Sequence, residues 1–572
     1  PPPAPAAVVA LAGIALALRR DPALARRTWA LAMIACGLCL ALTAGLADAR
    51  LHRGVESGAE LPPVRQLTGR DLAANGDLTR FPPDQTAAVA AALQANGIRY
   101  LRQSFAWSDL EPRPGVFQWD RADAIVNELD RHGITLVAVL HRSPAWARAP
   151  GAEAAFDAPP TDPGAYERFV KEFVGRYGDK APLIQIWDLP NRPDHWGGKA
   201  ASPGDYLGLL ARGFNAARSA NPNVSVALAE LDPFPGPGAP DDLTFLQGLY
   251  AAGGAPFFDV VAARIDGGDR TPYDRGVDAG APSLSRATLL RDLLHANGDD
   301  QKPIWGTHYG WLAATPGQPA SSLDPRDQAA FAVGGIERAR AEWPWMGPLF
   351  AWGLAPGPSL GGDVAPGEAL LTAGGAPTPL LTALGAFAAS GATDVAPTGF
   401  LPVQARQIVY EGNWDLQHLG SETYRTTSQV GARLSVAFQG TGIVARLRLS
   451  RQAGALDVAL DGKPVALDLD AFQAEDIDIP LASGLADGPH ALTMRLAEPG
   501  QFTIGGLVVE RTIPLRWPIV LLLGAGFVML AAGLRDAAFA LAERSGRLQP
   551  RVPGEHWPEL PFLPGWRPSR RA

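Results

Sequence analysis

The sequence predicts a multidomain α/β plus all-β protein: a (β/α)8 TIM barrel, then an antiparallel β-sandwich, flanked by transmembrane helices. Three observations predict it. Between residues 73 and 395, apolar runs of strand length alternate with amphipathic stretches of helical period, the rhythm of parallel βα units. Between 403 and 512 that rhythm gives way to short runs in which apolar and polar residues alternate. Outside both regions stand two apolar runs, 29–47 and 517–534, long enough for the roughly 20 residues a bilayer crossing needs.

The ends come first, because they decide where the rest resides. Residues 1–28 hold a short apolar run, 6–18, and a loop in which Arg19, Arg20, Arg26 and Arg27 stand against Asp21, a net of +3. The chain opens on a Pro-rich stretch without Met, so the run 6–18 reads either as a truncated span or as a signal-peptide core. Residues 29–47 and 516–535 are the expected spans. The tail 536–572, rich in Arg, Pro and Trp, follows the second, and from Arg535 onward seven Arg face four acids, again +3. Excess Lys and Arg mark the cytoplasmic side. Both flanks are therefore expected in the cytoplasm of a bacterial cell, the heavy use of Ala, Gly, Pro and Arg pointing to a GC-rich bacterial genome. The stretch between the spans is then extracytoplasmic. The total of −8 leaves −14 for it, and an acidic region with no basic patch argues against nucleic acid as a partner. Both cysteines, Cys36 and Cys39, lie in the first span, so the large region outside it holds no disulfide. They read as small apolar residues facing lipid.

Residues 48–72 read as a linker into the barrel. Within the barrel, 97–102, 133–140, 183–187, 224–228, 258–263, 303–306 and 347–352 read as strands, and 122–132, 166–177 and 206–220 as helices. A barrel of this kind carries its function at the C-terminal ends of its strands. Two Gly/Pro-rich stretches, 356–379 and 391–402, read as linkers around a final helix at 380–390.

Several phrases at the strand ends carry a resemblance. Residues 302–311 read Lys-Pro-Ile-Trp-Gly-Thr-His-Tyr-Gly-Trp, and 186–191 read Ile-Trp-Asp-Leu-Pro-Asn. With Ala106-Trp107-Ser108-Asp109-Leu110-Glu111-Pro112 and Ser143-Pro144-Ala145-Trp146-Ala147, they resemble the retaining (β/α)8 glycosidases of the β-xylosidase and cellulase type. The resemblance implies an acid/base Glu where this chain has Leu189 and a nucleophilic Glu where it has His308. It implies Asn where Asp188 stands and His-Pro-Tyr where Arg264-Ile265-Asp266 stands. Retaining hydrolysis needs two carboxyl groups about 5–5.5 Å apart, and both family positions have lost theirs. Possible substitutes are Asp188, Glu230 and Asp266. The resemblance also implies sugar-stacking roles for Trp107, Trp146, Trp187, Trp196, Trp305 and Trp352. Some of these also read as plain core aromatics. The alternative to a rebuilt catalytic pair is an ionic network of Asp188, Arg264 and Asp266 plugging the old pocket. The spacing of His141, Asp188, His195 and His308 matches no metal-ligand motif, so no metal or cofactor is expected.

Residues 403–512 read as the β-sandwich, with turns such as Asp461-Gly462 and Asp487-Gly488 between the runs. The phrases Gly440-Thr441-Gly442-Ile443 and Leu460-Asp461-Gly462-Lys463 resemble the jelly-roll modules that accompany glycosidases. That resemblance implies carbohydrate-binding candidates at Tyr410, Trp414 and Tyr424, with a spacer module as the alternative.

The function expected is that of a membrane-anchored pseudoglycosidase. It would serve as an extracytoplasmic accessory subunit beside other membrane-protein subunits, or bind cell-envelope polysaccharide, with the lipid bilayer as its standing partner. The competing expectation is an active glycoside hydrolase or transglycosylase using relocated carboxylates.

Overall fold

A computed structural model describes residues 22–60, 63–152, 155, 157–198, 202–315, 323–359, 362–420, 422–467, 475–512 and 517–544. The run 6–18, residues 19–21 of the basic loop and the tail from 545 onward lie outside the described residues. The chain divides into two compact units, one holding the two long apolar helices and the other spanning Arg53–Ile513.

In the larger unit, eight strands pair in parallel: β1 (Leu72–Gly76), β2 (Ile98–Ala106), β3 (Thr135–His141), β4 (Leu183–Ile186), β5 (Ser225–Ala227), β6 (Val261–Asp266), β7 (Ile304–Gly310) and β8 (Met346–Ala351). Their order runs β5-β4-β3-β2-β1-β8-β7-β6. Parallel bridges from Ala227 to Val260 and from Leu231 to Ala263 join the two ends, so the sheet closes into a barrel. Each strand is followed by a helix. The sequence starts several of these with a capping side chain and a proline: Asp162 before Pro163–Tyr177, Ser202 before Pro203–Ala220, Asp324 before Pro325–Glu342 and Thr378 before Pro379–Ala389. The helix Pro163–Tyr177 buries Tyr166, Phe169, Val170, Phe173 and Val174 at the spacing of one helical face.

One apolar layer inside the barrel is formed by Ala73, Val137, Leu183, Ala227, Val260, Trp305 and Phe350. Trp305 stacks on Phe350 and meets Tyr100 edge-on. Gly347 makes room for it, since a Cβ there would lie 2.2 Å from the Trp305 ring.

The linker expected at 48–72 is ordered packing. Its first residues end the helix Pro22–Leu51, and its last begins β1. Between them, Glu56 accepts from Arg291 at 2.7 and 3.0 Å, and the Gln66 amide donates to the Pro344 carbonyl at 2.7 Å. Arg70 is buried, its guanidinium donating to the carbonyls of Trp343 and Thr398. The stretch 391–402 is no free linker either. Arg340 donates to the carbonyls of Arg70 and Val395, Thr398 is buried, and the strand Gly399–Pro402 pairs with a sandwich strand. Gly and Pro serve here to pass chain through a tight seam: a Cβ on Gly399, at φ +103°, would lie 2.6 Å from Pro344. All these contacts involve residues that precede strands, so the sandwich docks at the N-terminal end of the barrel and leaves the C-terminal mouth clear.

The sandwich has two antiparallel sheets. Strands Arg433–Gly440 and Gly488–Leu496 lie central in one sheet, and Gly442–Leu449 and Phe502–Glu510 in the other. Leu434, Val436 and Phe438 point inward at every second position and the residues between them outward. The Asp461-Gly462 turn takes φ +49° and +74°, the left-handed pair a two-residue hairpin needs.

The smaller unit is a pair of helices, Pro22–Leu51 and Trp517–Arg544. Each contains a 26-residue stretch apolar and long enough to cross a membrane. The buried positions are Ala30, Gly37 and Ala44 on the first, and Ile519, Gly526, Gly533 and Ala540 on the second, each seven residues from the next. Gly37 meets the backbone of Gly526 and Leu530, and Gly533 meets Ala30 and Ile34, so one index falls as the other rises: the helices run antiparallel. A Cβ on Gly37 would lie 2.7 Å from the Gly526 carbonyl oxygen, which is why small residues hold the seam. Cys36 and Cys39 are exposed on the first helix.

Candidate functional site

The upper barrel is polar, and it is organised around a fully buried arginine. Arg102, on β2, donates from Nε to Gln185 Oε1 at 3.0 Å, from one terminal nitrogen to Asn75 Oδ1 at 3.0 Å, and from the other to Asp188 Oδ1 at 2.6 Å. That last nitrogen also lies 3.6 Å from Glu230 Oε2, which accepts from Thr307 Oγ1 at 2.9 Å. One guanidinium thus faces two carboxylates, all three out of water, an arrangement tolerable only because hydrogen bonds accompany the charges.

A second network sits above it, at the ends of β6 and β7. His308 Nε2 lies 3.0 Å from Asp266 Oδ1, and Arg264 Nε donates to Asp266 Oδ2 at 3.0 Å. The His308 ring stacks on Trp352 at 3.8 Å, with the Arg264 guanidinium 6.0 Å from the same indole. Burial alone would raise the Asp266 carboxyl; His308 and Arg264 overcome it and hold the group well below the usual carboxylate range. The two networks approach at one place, where His308 Nδ1 is 4.0 Å from Glu230 Oε1, and neither atom has a hydrogen-bond partner.

The expected plug of Asp188 with Arg264 and Asp266 is therefore two networks, with Asp188 tied to Arg102 instead. Strand geometry ends at Ile186, and Trp187 and Leu189 take φ +67° and +47°. Asp188 then reaches Arg102 while Leu189 is fully buried, its amide donating to the Glu230 carbonyl at 3.0 Å.

A cavity of about 400 Å³ opens over the second network, lined by Arg264, Asp266, His308, Trp311, Trp352 and Glu368, with Asp269 at its edge. Glu368 was not among the sequence candidates. It lies in the β8–α connection, inside the stretch 356–379 that reads as a linker but folds over the mouth, packing Val364 and Ala369 on Trp352. Its carboxyl accepts from the Ala365 amide at 3.1 Å, and burial pushes it upward. Only the position of an acid within a Gly/Pro-rich loop could have flagged it.

Of the tryptophans expected to stack on sugar, four are core residues. Trp107 is enclosed by Trp146, Tyr166 and Phe169, and its Nε1 donates to Glu111. Trp187 and Trp196 pack edge-to-face on each other, and Trp305 belongs to the apolar layer inside the barrel. Trp146 is half-buried and donates to the Glu111 carbonyl. Trp352 lines the cavity, with His308 already stacked on it. In the sandwich, Trp414 packs against Tyr410 and Phe502. Tyr410 donates to the Val403 carbonyl, and Tyr424 is buried. Aromatic burial inside a crowded barrel rim explains the outcome: large rings fill volume first. Among the described residues no three His, Cys, Asp or Glu side chains are placed to hold a metal. His141, in hydrogen-bond contact with Ser104 Oγ at 2.7 Å, is pushed well below the usual imidazole range by burial and then by Arg142.

No family model matches this chain, and no curated protein matches it. Among solved structures it is similar to a family 39 glycoside hydrolase from the gut symbiont Bacteroides cellulosilyticus WH2, with 17% identity and a TM-score of 0.44, over 74% of this chain and 81% of that one. A glucosidase from Croceicoccus marinus matches with 12% identity and a TM-score of 0.42, over 76% and 98%. A GH30 endoxylanase from Clostridium papyrosolvens C71 matches with 13% identity and a TM-score of 0.38, again over 76% and 98%. The parallel strand pairing, closed by the bridges Ala227–Val260 and Leu231–Ala263, makes this unit a barrel independently of these likenesses.

Proposed function

We propose that this chain is a membrane-anchored pseudoglycosidase, a glycosidase-like extracytoplasmic domain that captures envelope glycan at its barrel mouth without hydrolysing it. One observation carries the reading: His308, where the nucleophile would stand, is held between Asp266 and Trp352, while an open cavity persists around it. Leu189, where the acid would stand, has no proton to give and is buried. Neither half of a retaining pair is present at those positions.

The competing reading gains support from Asp266 and Glu368, two carboxyl groups lining one cavity. Against it, both Asp266 oxygens are already engaged, one by His308 and one by Arg264. A carboxylate held that low is also a weak base toward water. Capture is the better fit.

Anchoring is supported by the two helices of membrane-crossing length and by their antiparallel seam, which brings the start of the first and the end of the second to one side. The basic residues then fall together on the side expected to be cytoplasmic. Two measurements test the proposal on the full chain. It should stay in the membrane pellet after alkaline extraction, and when immobilised in detergent it should retain polysaccharide from its own envelope. Release by alkali removes the anchor from the account, and passage of all polysaccharide removes the capture.

A further inference from the structure

An aromatic ring is held still at the rim of the mouth, outside the cavity. Leu231, in the connection after β5, bridges in parallel to Ala263 on β6. Asp266, three residues past Ala263, lines the cavity, and Phe234 stands three residues past Leu231. The register therefore brings Phe234 out of the barrel beside the cavity wall. Its loop is closed at the base by Asn191, which accepts from the Asp232 amide at 2.9 Å and donates to the carbonyls of Asp232 and Pro240 at 2.7 and 3.0 Å. The Asp232 carboxylate accepts from the Phe234 amide at 2.8 Å and from Arg192 at 3.2 Å. Pro233 and Pro235 restrict the backbone on either side of the ring. The Arg286 guanidinium lies against it, 5.4 Å from the ring centroid, fixed by two 2.6 Å bonds to Asp242. Arg286 also donates to the Ala279 carbonyl at 3.2 Å. Ala279 belongs to the connection after β6, whose Gly268, Asp269 and Pro282 line the cavity.

Phe234 nonetheless stays 41% exposed. Isolated exposed apolar residues are common on protein surfaces. This one differs in being immobilised next to a cavity, so a ligand that covers it meets little further ordering cost. The cavity offers a donor in the Arg264 guanidinium and acceptors in Asp269 and Glu368, a mixture that suits hydroxyl groups, which both donate and accept. A pyranose chain has hydroxyl edges for such a pocket and apolar C–H faces for such a ring. We propose that Phe234 is an outer stacking platform, and that the mouth binds a glycan chain of several rings, with one ring in the cavity and a later one on Phe234. This rests on the reading of the mouth as a glycan site. A volume of about 400 Å³ lies toward the small end of ligand pockets, roughly 300–1,000 Å³, so a chain entering it leaves further rings at the rim.

The probe is polysaccharide from the protein's own envelope, cut by mild acid and separated into monosaccharides and longer fragments. Each is titrated calorimetrically into the detergent-solubilised full chain. Longer fragments are expected to bind about tenfold more tightly than monosaccharides. Phe234→Ala should remove that gain and leave monosaccharide binding unchanged, and Phe234→Trp should keep it. Full affinity of Phe234→Ala for the longer fragments overturns the platform and leaves glycan capture standing. Loss of monosaccharide binding in the same variant also overturns it, because the ring would then be a structural part of the loop. No binding of any fragment by the unaltered protein removes the capture and the platform together.

Discussion

Arg102 is the residue on which the upper barrel depends. It is fully buried and touches Asn75, Gln185, Asp188 and Glu230. Arg102→Ala would leave two buried carboxylates facing each other without a cation, and breaking a buried pair in this way costs about 3–5 kcal/mol. The urea midpoint of the variant should fall accordingly. An unchanged midpoint would mean that water or a proton replaces the guanidinium without loss. Glu368 behaves in the opposite sense. Its folded-state titration lies above that of the unfolded chain, so the stability it contributes is full below the unfolded value, about 4.3, and is lost as pH rises through the folded one. Glu368→Gln should therefore raise the thermal midpoint at pH 7 and leave it nearly unchanged at pH 4. Asp266 runs the usual way: its contribution is present above about pH 4 and lost only as pH falls toward its depressed folded value. At this scale the sequence exposed Leu189 and His308, because motif phrases surround them. It concealed Arg102, since a strand pattern does not tell an inward arginine from an outward one until its partners are known. It also gave Asp188 the wrong neighbours, because the chain leaves strand geometry after Ile186 and turns left-handed at Trp187 and Leu189.

At the scale of elements, the helices read at 122–132, 166–177, 206–220 and 380–390 were legible, as were most strand runs and the Asp461-Gly462 turn, whereas the helix Pro325–Glu342 and the strand Leu72–Gly76 went unread. The connections were not. Residues 53–71 and 391–402 have linker composition but lie in the barrel–sandwich seam, and 356–379 covers the mouth. Gly and Pro mark departures from regular structure, and an ordered seam departs from it as much as a flexible tether does. The helix pair is the element with the most direct test. Ala30 and Gly533 are in contact across it. With Cys36 and Cys39 replaced by Ala, the double variant Ala30→Cys, Gly533→Cys should form an intramolecular disulfide in native membranes, seen as a mobility shift reversed by reductant. The pair Ala30→Cys, Gly526→Cys, one heptad out of register, should not. Equal cross-linking of both pairs would contradict a fixed antiparallel seam.

On the scale of the whole molecule, barrel and sandwich form one compact unit, docked at the end of the barrel away from its mouth. The sequence conveyed the order of barrel and sandwich along the chain. It could not convey that the mouth is two stacked ion networks beneath an open cavity, because those contacts join residues as far apart in the chain as Asn75 and His308. The account predicts a barrel that keeps a ligand cavity and has given up hydrolysis. The most direct measurement is turnover of a panel of aryl β-glycosides by the purified full chain, beside Asp266→Asn and Glu368→Gln. The account predicts release no faster than in buffer for all three proteins. A rate above buffer that falls in either variant would contradict it, and would make Asp266 and Glu368 a working acid–base pair.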